Sequence, residues 1–177
     1  MNETAFPVVY LSLLVGLLVL VAVFLIRQVL KTRRVETRLN NLQAKLSKEK
    51  GTAQEYYELG SILLDKRLYS QAIAQFQKAL KSKDLTGDEN VAILYNAIGY
   101  AYSAQEQYDL AIRQYKEALE KQPGYVTALN NIGFAYEKKQ LIAQAVEAYE
   151  QALKLEPKNS TAKRRSDSLR KRLVPTT

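Results

Sequence analysis

Carboxylates, lysines, serines and twelve tyrosines are the side chains this 177-residue chain has available for reaction chemistry, because it contains no Cys and no His. Thiolate nucleophiles, imidazole acid–base steps, zinc sites built on those ligands and disulfides are excluded with them. Its seven Gly residues fall in no GxGxxG or GxxxxGK pattern, so no glycine-rich loop is present to cradle a phosphate. A hydrolase built from Glu and Lys needs two carboxylates converging on one pocket. Here the acidic residues stand beside cations at exposed helical spacing, as in YKEALEK over residues 115–121, which is the pattern of a salt-bridged surface. The chain is therefore expected to be non-catalytic, with no cofactor, metal or pigment. What remains is recognition chemistry, with aromatic rings as anchors and Asn amides as donors and acceptors toward a partner's backbone.

The segments that must position such residues differ sharply in charge. Residues 27–50 carry eight cations against two acids, residues 51–157 eleven against fourteen, and residues 158–177 seven against one. The formal net charge of +8 thus belongs to two basic flanks around a mildly acidic middle. That distribution argues against nucleic acid as the partner of the middle segment, which also lacks the 35-residue repeat of helical base readers.

Residues 1–26 are expected to be a membrane anchor. From Ala5 to Ile26 no charge occurs over 22 residues, which at about 1.5 Å per residue spans about 33 Å, the thickness of a bilayer core. A cleaved signal peptide would have a basic start, a shorter apolar run and a small-residue cleavage site, whereas this chain has Glu3, a longer run and cations immediately afterwards. Arg27, Lys31, Arg33, Arg34 and Arg38 follow the span closely, so the positive-inside rule keeps everything after Ile26 on the cytoplasmic or stromal side, in contact with anionic lipid. Residues 27–50 are expected to form a basic helical stalk, since Val35, Leu39, Leu42 and Leu46 recur at steps of four, three and four. Two heptads leave two alternatives, a stalk lying on lipid or on the following domain and a homodimer through the stripe.

The middle of the chain repeats itself. Gly60, Gly99 and Gly133 are each followed twelve positions later by Ala72, Ala111 and Ala145, four later by Phe76, Tyr115 and Tyr149, and then by Ala79, Ala118 and Ala152, with Pro123 and Pro157 closing the second and third units. This pattern resembles the tetratricopeptide repeat, a helical hairpin in which Gly and Ala let two helices approach and the aromatic fills the space beside them. The resemblance implies an all-α fold: a transmembrane helix and stalk helix, then a three-repeat right-handed solenoid over residues 51–157 (repeats about 53–86, 92–125 and 126–159), then a basic capping helix and tail over residues 158–177. A hairpin cannot bury its apolar face alone, so a cap is needed. Ala162, Leu169 and Leu173 are expected to form its buried stripe, with seven cations facing out. The first repeat departs from the pattern in carrying Asp84 where Pro is usual, and about five extra residues around LTGDE read as a longer loop turning at Gly87.

In tetratricopeptide stacks the concave groove is lined by the second, fifth, ninth, twelfth and thirteenth positions of the first helix of each repeat. The resemblance thereby points to Tyr57 and Ser61 in the first repeat, Ile93, Asn96 and Tyr100 in the second, and Thr127, Asn130, Phe134, Glu137 and Lys138 in the third. Tyr57, Tyr100 and Phe134 are the expected anchors, and Asn96 and Asn130 the expected amide contacts; the alternative is that these residues only pack against neighbouring helices. Tyr56, Tyr95, Tyr102, Tyr115, Tyr136 and Tyr149 fall at positions that pack between helices. The Lys, Asn, Asn, Lys, Arg clamp by which chaperone adaptors hold two carboxylates is absent, its positions being Tyr57, Ser61, Ala97, Thr127 and Asn131.

Taken end to end, the uncharged span, RQVLKTRRVETRLNNLQAKL, EYYELGS and QEQYDLAIRQYKEAL resemble the membrane-anchored tetratricopeptide proteins of cyanobacteria and algal plastids that assist photosystem I assembly. That resemblance implies a thylakoid location with the repeats facing the cytoplasm or stroma, partners among photosystem I subunits or assembly intermediates, and no catalysis. A bacterial inner-membrane tetratricopeptide scaffold for cell-envelope complexes would carry the same anchor and repeats and is the alternative.

Overall fold

The computed structural model describes residues 5–173, with the side chains of residues 10–172. Among the described residues there are eight α-helices and no strand. They fall into two compact units, residues 1–45 and residues 46–177.

The first unit is helical almost throughout. Helix α1 runs unbroken from Ala5 to Leu46, because Pro7 lies in its first turn, where no intrahelical N–H is lost, and nothing between Ile26 and Leu46 breaks the ladder. The stalk helix expected after the anchor is therefore the continuation of the anchor itself. The large apolar side chains from Tyr10 to Ile26 are exposed on every side of it, as suits a segment whose neighbours are lipid tails. It is long and apolar enough to cross a membrane. Arg27, Lys31, Arg33, Arg34 and Arg38 are exposed on the turns that follow, and four of them recur at steps of four, three and four, making one cationic stripe.

The second unit contains α2 (Ala53–Asp65), α3 (Tyr69–Leu80), α4 (Asp88–Ala104), α5 (Tyr108–Lys121), α6 (Val126–Lys138), α7 (Ile142–Leu155) and α8 (Ser160–Leu173). From α2 to α8 each helix packs on the next, so three hairpins stack into a solenoid and α8 covers the last. Its start is fixed locally: Thr52 accepts from the Glu55 N–H at 3.2 Å while Glu55 accepts from the Thr52 N–H at 3.1 Å, a reciprocal cap on α2.

At each hairpin crossing the same contact recurs. A Cβ on Gly60, Gly99 or Gly133 would lie 2.6, 2.6 or 2.8 Å from the ring of Phe76, Tyr115 or Tyr149, so only hydrogen fits there. Those three rings are buried, as are Ala72, Ala111, Ala145, Ala79, Ala118 and Ala152. Burying one such aromatic side chain stabilises the fold by about 2–3 kcal/mol.

The hairpin turns also repeat. Arg67, Glu106 and Gln140 adopt φ of 61°, 60° and 60°, and the residue after each donates its N–H back across the turn: Leu68 to Leu63, Gln107 to Tyr102 and Leu141 to Tyr136, at 2.9–3.0 Å. These are three copies of a left-handed helix stop, built without glycine.

Two departures have physical causes. The Asp84 carboxylate accepts from the Ala53 N–H at 3.2 and 3.0 Å, placing a negative charge at the N-terminus of α2, where the unpaired amides favour it. The residue standing in for Pro therefore ties the end of the first repeat to its start. Asp88 and Glu89, expected in a loop, form the first turn of α4 after Gly87 turns the chain at φ 82°; two acids at a helix start stabilise that extra turn.

In α8, Ala162, Ser166 and Leu169 are buried, and the side chain of Leu173 lies outside the described residues. The expectation that all seven cations face outward fails at Arg165, which turns inward to bind Glu137 at 2.7 Å, because α8 brings it within reach of that half-buried carboxylate.

Candidate protein-binding groove

The first helices of the three hairpins, α2, α4 and α6, carry the groove positions as successive rungs. The packing faces of these helices are fixed by Leu59, Gly60 and Leu63 in α2, by Ile98, Gly99 and Ala101 in α4, and by Ile132, Gly133 and Ala135 in α6, all buried. The groove positions fall on the remaining arc of each helix.

On the first rung, Tyr57 is half-buried, its ring 5.8 Å from that of Phe76. The Ser61 hydroxyl donates to the Tyr57 carbonyl at 2.8 Å, so this serine serves its own helix. Tyr57 and Ile93 line a hollow of about 240 Å³ together with Gln54, Asn90, Leu85 and Asp84. That mixture of one ring, two aliphatic side chains, two amides and a carboxylate suits an apolar side chain flanked by peptide groups.

The second rung is an amide network. Asn131 donates through Nδ2 to Asn96 Oδ1 at 2.9 Å, and the Asn96 amide lies near the Tyr125 hydroxyl. Burial chiefly raises the pKa of that phenol; nearby Tyr57 and Glu89 push the same way, and the Asn96 amide opposes them. Asn96 thus has its acceptor already engaged by Asn131 within the groove floor. Tyr100 stands beside this network with half of its surface exposed, at 51%.

On the third rung, Phe134 is half-buried between two cations, with Lys138 Nζ 5.4 Å and Arg165 Cζ 5.2 Å from its centroid. Glu137 accepts from Arg165 at 2.7 Å and from the Tyr149 hydroxyl at 3.4 Å. Burial, more than any charge, raises the pKa of the Tyr149 phenol, with Arg165 opposing and Glu137 adding. Asn130 is half-buried with its Oδ1 buried and unpartnered, while Thr127 is exposed at the mouth.

The ten groove residues named from the repeat register therefore divide. Tyr57 and Ile93 share one hollow, Tyr100 and Thr127 are open, Phe134, Glu137 and Lys138 meet in one cluster, and Asn130 is half-buried with its Oδ1 unpartnered, whereas Ser61 and Asn96 are occupied within the fold. Three groove residues escaped the sequence reading. Tyr125 precedes α6 and so falls outside the helical positions. Arg164 and Arg165 belong to the cap; continuing the 34-residue register past Pro157 was the signal that would have found Arg164, while Arg165 enters only through its pairing with Glu137.

Comparison with known proteins agrees with this architecture. Residues 51–123 and residues 96–160 each match the tetratricopeptide repeat family. The ycf37 protein of Guillardia theta is 40% identical over 123 residues, covering 70% of this chain and 69% of that protein. The ycf37 protein of Pyropia yezoensis is 35% identical over 172 residues, 94% of this chain and 96% of its own length. The chloroplastic tetratricopeptide repeat domain-containing protein PYG7 of Arabidopsis thaliana is 37% identical over 128 residues, 72% of this chain and 42% of that protein. Among solved structures, the first tetratricopeptide domain of Spaghetti (RPAP3) bound to the HSP90 peptide SRMEEVD superposes with a TM-score of 0.63 at 22% identity, over 71% of this chain and 95% of that one; at that identity the likeness is one of fold. With the repeat family matched across both ends of the solenoid and the two ycf37 relatives aligned over two thirds or more of their length, this chain belongs to the Ycf37 family of tetratricopeptide repeat proteins, and is also similar to the chloroplast protein PYG7.

Proposed function

We propose that this chain is a non-catalytic assembly scaffold anchored by α1 in a thylakoid membrane, which holds photosystem I subunits or assembly intermediates in the groove of α2, α4 and α6 on the cytoplasmic or stromal side. The observation that carries the reading is the union in one Ycf37-family chain of an apolar spanning helix with a groove whose Tyr100 is exposed and whose Tyr57 borders an open hollow. The chloroplastic relative supports a photosynthetic membrane, and the cations after Ile26 support the side. The missing clamp donors at Tyr57, Ala97 and Thr127 speak against a dicarboxylate chaperone tail held by α2, α4 and α6. Tethering makes modest contacts sufficient: a micromolar Kd corresponds to about −8 kcal/mol, and sharing one membrane raises the effective concentration of both partners. Weak capture also permits release of the finished complex.

The test is a mild-detergent pull-down of the tagged protein from native membranes, comparing wild type with the combined Tyr57→Ala, Tyr100→Ala, Phe134→Ala variant, its helicity checked by circular dichroism. Photosystem I subunits should accompany the wild type and be lost from the variant. Recovery of envelope proteins in their place would overturn the photosynthetic assignment, and full retention by a folded variant would move binding to another face.

A further inference from the structure

The 34-residue register continues past the third repeat into the cap. Helix α6 opens at Val126 and α8 at Ser160, and the buried residues of α8, Ala162, Ser166 and Leu169, fall where α6 buries Ala128, Ile132 and Ala135. The groove positions of α8 are then Arg164, Ser168, Lys171 and Arg172, preceded by Thr161. Their placement agrees: a hollow of about 290 Å³ is lined by Glu137 of α6 and by Arg164, Arg165 and Ser168 of α8. Where the repeats have their crossing glycine, α8 has an exposed Asp167, since no further helix docks there.

Charge separates this end from the rest. The groove positions of α2 and α4 hold one charged side chain, Asp65, at the rim. Lys138 and Arg165 lie over the Phe134 ring, and Arg164 lines a hollow with Glu137, whose carboxylate Arg165 already binds; by register Lys171 and Arg172 occupy the next groove positions of α8. Arg172 donates to Gln140 Oε1 at 2.8 Å, a neutral group that leaves its charge uncompensated. Arg170 is engaged by Glu150 at 2.6 Å.

Building on the groove reading above, we infer that α8 is a fourth rung of the groove and that its cations receive an acidic stretch of an extended protein segment. Carboxylates approaching from the groove side meet Arg164, Lys171 and Lys138, while the neighbouring residues of the segment run toward Tyr100 and Tyr57. An anionic lipid surface is the weaker occupant, because Arg164 and Arg165 line a hollow shared with Glu137 and, among the described side chains, the exposed face of α8 presents no large apolar group for insertion.

The test uses the full chain in nanodiscs of zwitterionic lipid and measures the anisotropy of a fluorescein-labelled GEEFEEG peptide and its GQQFQQG counterpart. The acidic peptide is expected to bind about tenfold more tightly than the glutamine one, with a preference that falls as salt rises. Arg164→Glu with Lys171→Glu should weaken it by about tenfold, while Lys158→Glu with Lys163→Glu, the same charge change off the groove, should alter it by less than about twofold. Arg164→Gln with Lys171→Gln repeats the measurement should the reversal variant lose helicity. Equal effects of the two pairs, or no effect of either, would overturn the inference; so would flotation with phosphatidylglycerol vesicles that depends on Lys158 and Lys163 without any peptide preference. These failures leave the groove reading standing as long as the Tyr57, Tyr100, Phe134 variant still loses its partners from native membranes; if it retains them, the groove reading fails separately.

Discussion

The crossing face and the groove face of this solenoid lie on the same helices and follow opposite rules. At the crossings the three repeats are near copies: Gly against an aromatic ring, with Ala on either side, every member buried. In the groove no position keeps its residue; the fifth position reads Tyr57, Asn96, Asn130 and the ninth Ser61, Tyr100, Phe134. Close packing tolerates one solution per hairpin, whereas the groove must match something that is itself irregular. Repetition therefore marks what holds the fold together, and its loss marks what the fold presents.

The largest test of that contrast is to empty a crossing. Tyr115→Ala removes a ring buried to 1% exposure and should cost about 3–5 kcal/mol in thermal or urea unfolding; a loss below about 1 kcal/mol would mean the crossings are looser than the geometry requires. Gly99→Ala approaches the same contact from the other side, where the added carbon would lie 2.6 Å from the Tyr115 ring, with an expected cost of about 1–3 kcal/mol. Combining it with Tyr115→Ala should recover part of that cost, since the small residue makes room.

Alkali probes the same face through its phenols. Burial raises the pKa of Tyr115, which Ser103 opposes through a hydrogen bond, and that of Tyr149, above the ordinary 10.0. In the unfolded chain both ionise as pH passes about 10, while in the folded chain they stay neutral to a higher pH. The stability they contribute is thus full below about pH 10 and falls above it, by up to about 1.4 kcal/mol per pH unit for each phenol. Tyr115→Phe with Tyr149→Phe, following the natural Phe76, should raise the alkaline unfolding midpoint; an unchanged midpoint would assign alkaline unfolding to other groups.

Asp84→Ala should cost about 1 kcal/mol, the loss of a cap on α2, and hydrogen exchange should report it first at Ala53. Smallest of all, Tyr100→Ala in the groove should shift stability by no more than about 0.5 kcal/mol while weakening partner capture. A loss of several kcal/mol there would make Tyr100 a packing residue and erase the contrast.

The sequence displays the crossings because their contacts are local and periodic: Gly99, Ala111 and Tyr115 meet through spacing within one hairpin, which a 34-residue period exposes directly. The continuity of α1 was less legible, since a change from apolar to basic residues looks like a boundary although the backbone ladder is indifferent to it. Asp88 and Glu89 looked like loop because acids and glycine cluster there; their effect on a helix start depends on the helix being present. Arg165 was hidden for another reason, as its partner Glu137 lies 28 residues away and the pairing depends on how α8 lies against α6.

Asp167 in the place of the crossing glycine has one more consequence. A ring of the kind seated on Gly60, Gly99 and Gly133 needs bare backbone, and the side chain of Asp167 denies it that seat on α8. Helices set about 10 Å apart over three steps give a trough about 30 Å long, room for about nine residues of extended chain. Under the proposed fourth rung, the groove sets a length as well as a chemistry for the segment it receives.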